Sequence, residues 1–557
     1  MQDSPARRTF LKAGAAAAAL VLTGCTGQPG APRSTVTTSR VPLPANLKFT
    51  IGTAADPAVL DPVLAVDTES FRITRQIMET LVGVNRDTGV PAPGLATEFT
   101  EEADGRAYVF KLREGVTFHD GTPFDAEAVR ANFERWFRLP RALRPSSGSL
   151  PYGAVFGSFA DEEPESVYRG CEVLGPLEIR LELNRRYTGL VAALSMPSFA
   201  IASPAALEAK SADKLSEERG GRRLSAFGLH PVGTGPYRLK EFSEGKVLLE
   251  EFDQYWGPAA QVGTVEFTTL SHPAARLREL RTGDIDGYDL ATPETYAGLV
   301  RGGMQILQRD PFAVTYLGIN KAFGPLDDVR IRQAIAHAID RDALLKSFFL
   351  QGSVEAKQFV PPSLGVNSED IPYYEYAPDR ARELLAEAEY DGAELPFYYP
   401  LDVTRAYLPT PEKIYAELSR QLTAAGFNIR PKPVAWSDGY LDRVRESKDQ
   451  ALHLGGMNGS YRDPDNFLGT LFGTESSEFG LASAQLTSRL ARARTLEPGE
   501  ERTAAYLQIN EQLARLLPAV PLAFPVSALA MGPRVESYPA SPMLNEPCNL
   551  IRIRSAA

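Results

Sequence analysis

The 557-residue chain predicts an α/β fold of more than one lobe. Three observations carry this. Strand-like and helix-like stretches mix along the whole chain. No internal repeat and no long low-complexity run interrupts them. Roughly 510 residues follow the first 45, enough for two or three domains with large cores.

Residues 47–51 alternate as a strand does. Residues 56–62 read as a loop, and 70–81 carry helical spacing through Phe71, Ile77, Met78 and Leu81. Residues 108–112 form a strand after the Asp104-Gly105 turn, and 115–118 form a short one before His119-Asp120-Gly121. Asp125 caps a helix that runs through Val129, Phe133 and Trp136. Residues 139–157 read as loop, and 173–183 as strand, turn and strand. A hairpin joins 233–239 to 247–252. Residues 265–270 are a strand, and 273–282 a helix that stops at Gly283. A strand over 314–320 precedes a long amphipathic helix over 329–349. Further helices lie at 378–388, with Asp379 as cap, at 410–425 and at 440–447. Residues 428–434, 522–526 and 549–553 are strands, and 483–517 are two helices. At 451–454 a short apolar run enters a polar loop at 458–465, punctuated by Asp463-Pro464. Helical spacing resumes at Phe467, Leu468, Leu471 and Phe472. Loops held between two rigid elements are frequent binding sites.

The N-terminus reads as an export signal. Arg7-Arg8 with Phe10-Leu11-Lys12, an apolar run over 13–23 and a small-residue cleavage site follow in order. That run is too short to span a bilayer, which needs ~20 residues. The arginine pair resembles a twin-arginine signal. Leu22-Thr23-Gly24-Cys25 resembles the bacterial lipobox, which implies that residues 1–24 are removed and Cys25 is acylated. Residues 25–45, rich in Gly, Pro, Ser and Thr, read as a flexible tether.

The net charge is −11. A chain this acidic is a poor partner for nucleic acid, which demands basic patches. Cys171 and Cys548 stand far apart without a Cys-x-x-Cys; they leave a disulfide open and do not read as a metal site. No nucleophile elbow, His-Glu-x-x-His, phosphate loop or calcium loop occurs. The five histidines, His119, His230, His272, His337 and His453, are scattered. Gly233-Thr234-Gly235 opens a strand, with Arg238 where a third glycine would serve a dinucleotide. No cofactor and no catalysis are expected.

Four blocks carry a resemblance. They are Leu95-Ala96-Thr97-Glu98 with 108–121, then Gly233-Thr234-Gly235-Pro236-Tyr237 with Tyr255-Trp256-Gly257, then 326–335 with Ala338-Ile339-Asp340-Arg341, and Asp463-Pro464-Asp465-Asn466-Phe467-Leu468. In this order they resemble the extracytoplasmic solute-binding proteins of ABC importers, the peptide- and nickel-binding class (family 5). The resemblance implies a two-lobe periplasmic-binding-protein-like fold of the class II type. Lobe 1 would be 46–270 and 525–557, with an extra subdomain at 88–180, and lobe 2 would be 271–524. The crossings would fall near Leu270 and Phe524. It also implies a monomer, anchored outside the cytoplasmic membrane through its lipid, that delivers a solute to ABC permease subunits.

Proteins of this class often hold a peptide by strand addition. Carried over by position, the receptor strand is Leu454, Gly455, Gly456 and Met457, facing Val66, Asp67, Thr68 and Glu69. Ser460 stands where peptide binders place an acid for the ligand amine, and Met457 where an aromatic residue is usual. An enclosed ammonium needs a charged partner or strong hydrogen bonds, so either Asp67, Glu69 or Asp463 supplies the charge or the ligand has no such ammonium. A short peptide is the leading ligand. An oligosaccharide, an opine-like compound, a metal chelate, or an envelope lipoprotein that has lost its ligand are the alternatives.

Overall fold

The computed structural model describes residues 47–144, 150–219, 222–475 and 477–554. The export signal, Cys25 and the tether lie outside the described residues. No helix among the described residues is long and apolar enough to cross a membrane.

Two large sheets organise the chain. The first has seven strands in the order Tyr237–Ser243, Lys246–Glu251, Thr264–Thr269, Lys48–Thr53, Gly287–Tyr288, Ser527–Met531 and Gln305–Arg309. Its central strand Lys48–Thr53 runs parallel to Thr264–Thr269 and Gly287–Tyr288. Alternation puts Phe49 and Ile51 on one face, where they pack with Ile73 and Ile77 of helix Thr68–Ile77. The opposite face packs Tyr288, Ala528 and Ala530 against Leu280 and Leu299, from helices Pro273–Thr282 and Pro293–Arg301.

The second sheet has six strands, in the order Val354–Glu355, Ala519–Phe524, Ala313–Ile319, Leu452–Asn458, Glu394–Leu401 and Asn428–Ala435. Every residue of Ala313–Ile319 is buried, as a central strand requires. A third, four-stranded sheet orders Ala96–Glu101, Ala107–Leu112, Glu178–Leu183 and Tyr168–Gly175. Helix Ala126–Phe137 covers it, with Phe133 and Trp136 among its buried residues. Asp125 caps that helix by accepting from Ala128 N at 2.9 Å.

The crossing expected near Leu270 lies further on. Strands Gly287–Tyr288 and Gln305–Arg309 still pair in the first sheet, so the chain enters the second only between Arg309 and Ala313. It returns between Phe524 and Ser527. The expected helix over 329–349 is two helices, Val329–Ala338 and Arg341–Phe348. Ile339 is extended, and Asp340 caps the second by accepting from Ala343 N at 2.9 Å. Asp379 does not cap its helix. The cap position is Ala377, and Pro378 opens the helix with Asp379 in its first turn. Helix Thr68–Ile77 stops before residue 81, because Met78 is extended and Glu79–Thr80 pairs as a strand. Residues 115–118 make a single bridge, Thr117 with Pro123, and no strand. Cys171 and Cys548 are both buried and unpaired with each other.

Candidate functional site

In open α/β sheets, ligands bind outside the carboxyl ends of the strands. At that edge of the first sheet, Lys48–Thr53 leads into the segment that carries Val66 to Glu69. Thr264–Thr269 leads into Leu270 and Ser271, and Gly287–Tyr288 into Asp289. In the second sheet, Glu394–Leu401, Asn428–Ala435 and Leu452–Asn458 run parallel. Their carboxyl ends present the 402–410 loop, Trp436 and Ser460.

The first-lobe residues separate in role. Val66 is 63% exposed. Asp67 is the cap of helix Thr68–Ile77, and both its oxygens are taken: Oδ1 accepts from Ser70 N at 2.8 Å and Oδ2 from Ser70 Oγ at 2.6 Å. Its carboxylate is therefore already engaged in holding the start of that helix. Glu69 is buried and accepts from Arg72 Nε at 3.3 Å. Burial pushes its carboxyl above the usual range, against the pull of Arg72 and of Arg405 from the facing lobe.

On the second-lobe side, strand Leu452–Asn458 pairs along its whole length with Ala313–Ile319. On its other edge it pairs with Glu394–Leu401 only at Leu452 and His453. Leu454 O then accepts from Tyr440 Oη at 2.7 Å. From Gly455 to Asn458 this edge has no partner strand among the described residues. Gly455 and Gly456 permit close packing here. A Cβ on Gly455 would lie 2.6 Å from Tyr316 Cε2, and one on Gly456 2.6 Å from Val314 O. Met457 packs at the margin of an apolar cluster that includes Val63, Phe312 and Tyr461.

Ser460 is half-buried, and its N–H donates to Asn466 Oδ1 at 2.7 Å. Asp463 is buried and already has a cationic partner. It caps helix Pro464–Phe472, and Arg502 Nη2 donates to both its oxygens, at 2.8 and 2.9 Å. All three expected acids thus hold partners in this structure: Ser70 on Asp67, Arg72 on Glu69 and Arg502 on Asp463.

Two site residues escaped the sequence reading. Arg405, in the loop after Glu394–Leu401, is only 8% exposed, and its Nε has no acceptor among the described residues. Its guanidinium lies 4.5 Å over the Trp436 ring, a cation–π contact of about 0.5–2 kcal/mol. Glu478 lines a cleft beside Gly455, Gly456 and Trp436. It accepts from Tyr316 Oη at 2.9 Å and contacts His453 Nε2 at 2.9 Å. Burial pushes its carboxyl up, but His453, Arg445 and Tyr316 outweigh burial and hold it below the usual range. A free signal for Arg405 existed only if Glu394–Leu401 had been recognised as a strand, and Pro396 and Pro400 hid it.

The two sides meet in several places. Lys413 pairs with Glu294 at 2.7 Å. Thr188 N donates to Arg494 O at 3.0 Å. The Tyr187 and Tyr461 hydroxyls lie 2.9 Å apart. On the second-lobe side, Gly455, Gly456, Trp436 and Glu478 line one cleft, and Arg405 lies over the Trp436 ring.

A sequence profile described as bacterial extracellular solute-binding proteins, family 5 Middle, matches residues 90–479. Heme-binding protein A of Haemophilus influenzae is 28% identical over 547 residues, covering 95% of this chain and 96% of that protein. The dipeptide-binding protein of Escherichia coli is 25% identical, covering 88% and 90%. Among solved structures, an ABC transporter-associated periplasmic binding protein of Helicobacter pylori, in complex with the peptide STSA, aligns with a TM-score of 0.79 at 24% identity. That alignment covers 92% of this chain and 98% of the other.

Proposed function

Because the chain belongs to the bacterial extracellular solute-binding proteins of family 5, we propose that it captures a short peptide between its lobes and delivers it to an ABC permease. Proteins of this family are extracytoplasmic components of ABC importers. The observation that carries the peptide reading is the unpartnered strand edge from Gly455 to Asn458, whose glycines share a cleft with Trp436, the ring under the buried Arg405. An extended peptide would add to that edge by main-chain bonds. Its terminal carboxylate would pair with Arg405, held flat by Trp436. Glu69 would meet the amino terminus while sharing its carboxylate with Arg72, since Ser460 offers only a neutral oxygen. The dipeptide-binding relative and the peptide-bound neighbour support this reading. Acylation at Cys25 would hold the monomer to the outer face of the cytoplasmic membrane.

A non-peptide solute bearing a carboxylate is the second reading. It is favoured by Ser460 and Met457, which depart from the peptide-binding pattern.

Calorimetry on Ala-Ala-Ala and its C-terminal amide tests the peptide reading. The free acid should bind the chain tighter by about 1.5–3 kcal/mol, the range for a bond to a charged group. Arg405→Gln should erase that difference. A chain that binds neither peptide contradicts the reading.

A further inference from the structure

The chain crosses between its two large sheets at 310–312 and 525–526. Residues 47–309 and 527–554 thus lie on one side of the crossings, and 313–524 on the other. Away from the crossings, polar contacts between the sides gather at two places among the described residues. One is the exposed pair Lys413–Glu294 at 2.7 Å. Such a pair contributes little in water. The other is the segment Arg186-Tyr187-Thr188, which follows strand Glu178–Leu183 of the four-stranded sheet.

Arg186 Nη1 donates to Glu497 Oε1 at 2.7 Å, while its Nη2 donates to Glu101 Oε1 at 2.6 Å on its own side. Thr188 N donates to Arg494 O at 3.0 Å, and Thr188 Oγ1 to Leu496 O at 2.6 Å. Both carbonyls stand at the C-terminal end of helix Ala484–Thr495, where the helix itself supplies no donors. A residue of the first side thus finishes a helix of the second. Tyr187, beside it, is buried and reaches the loop that carries Ser460. Its hydroxyl lies 2.9 Å from Tyr461 Oη and donates to Asp465 Oδ2 at 3.2 Å. Asp465 is wholly buried, and Arg494 Nε donates to its other oxygen at 2.7 Å. Asn466 Oδ1 accepts from Ser460 N at 2.7 Å and from Tyr461 N at 3.4 Å. The Ser460 loop and the helix end are therefore tied to each other and to one three-residue segment of the facing side.

We infer that Arg186, Tyr187 and Thr188 form a latch, and that their docking positions the Ser460 loop. They are positioning residues, which act on a solute through that loop. The latch is the same for any solute; it rests on the binding reading above only in taking the Ser460 loop as part of the cleft. When the lobes part, Thr188 leaves two carbonyls at the helix end, and Tyr187 leaves Tyr461 and Asp465. When they meet, these bonds form together, so closure and the ordering of the loop are one event. The Lys413–Glu294 pair at the other contact has no such link to the loop.

Hydrogen exchange of the full chain, as purified from its own host, tests this at two amides, those of positions 188 and 460. Both should be protected in the wild type. Thr188→Val removes the hydroxyl and keeps a β-branched side chain. It should speed exchange at both amides by about 2- to 10-fold, the shift that one neutral hydrogen bond commands. Glu497→Gln, at a side chain 75% exposed and so without risk to folding, should act in the same direction. Lys413→Ala should leave both amides as in the wild type. A Thr188 that only finished its helix would speed exchange near 494–496 and leave position 460 unchanged, which overturns the inference. Unprotected wild-type amides, or Lys413→Ala acting as strongly as Thr188→Val, would overturn it too. If the predicted exchange pattern appears but no peptide binds, the latch stands and the peptide reading falls.

Discussion

The hydroxyl of Tyr187 lies 2.9 Å from that of Tyr461, and Tyr187 also donates to Asp465 Oδ2 at 3.2 Å. Tyr187 follows the four-stranded sheet, and Tyr461 follows the free strand edge of the second sheet, so this bond spans the two halves. Both rings are buried. Tyr187→Phe should favour the open arrangement and weaken ligand affinity by about 0.5–1.5 kcal/mol, the net worth of one hydrogen bond. Calorimetry with any confirmed ligand checks this, and unchanged affinity would mean that the bond does not bear on closure.

Glu79 joins the two segments of one sequence block that carried the family resemblance. It accepts from Thr234 Oγ1 at 2.9 Å, Tyr255 Oη at 2.9 Å and Trp256 Nε1 at 2.8 Å. Burial outweighs these three bonds and raises its carboxyl to about 7. The folded chain therefore keeps a proton here that the unfolded chain releases near 4.5. Stability from this group is full below that lower value and falls as pH rises toward 7. Denaturant titrations from pH 4.5 to 7.5 should show a shallower decline in Glu79→Gln than in the wild type.

Asp67→Ala should cost about 1 kcal/mol of stability through the lost cap. Asp67→Asn, which keeps a capping oxygen, should change peptide affinity little, and equally for a free-amine peptide and its acetylated form. Glu69→Gln should weaken the free-amine peptide selectively. A selective effect of Asp67→Asn in calorimetry would return the amine to Asp67.

Gly456→Ala should destabilise the second lobe by about 1–3 kcal/mol, because its Cβ meets Val314 O and the Tyr407 ring. Thermal unfolding measures it. Wild-type stability in this variant would show that the backbone shifts freely at the strand edge.

Much of the fold was legible because its signals are local. Asp125 before an apolar helix, Gly283 after one, and the alternation at 47–51 each encode an element within a few residues. The hinge was not legible. Strands Gly287–Tyr288 and Gln305–Arg309 are short, and only pairing with distant Ser527–Met531 assigns them to the first sheet. Strand Leu452–Asn458 was legible from its apolar run and paired glycines, but Arg405 was not. Prolines concealed the strand that positions it, and its value comes from a tryptophan some thirty residues away. Asp67 and Asp463 looked like ligand acids because sequence shows charge and not its partners.

The central claim is that a short peptide sits enclosed between the two lobes. Native mass spectrometry of the chain purified gently from its own host tests it most directly. The account predicts an excess mass matching a short peptide, lost on denaturation and identified by fragmentation. A retained ligand that is not a peptide, or a bare chain that also fails to bind peptides in calorimetry, would contradict it.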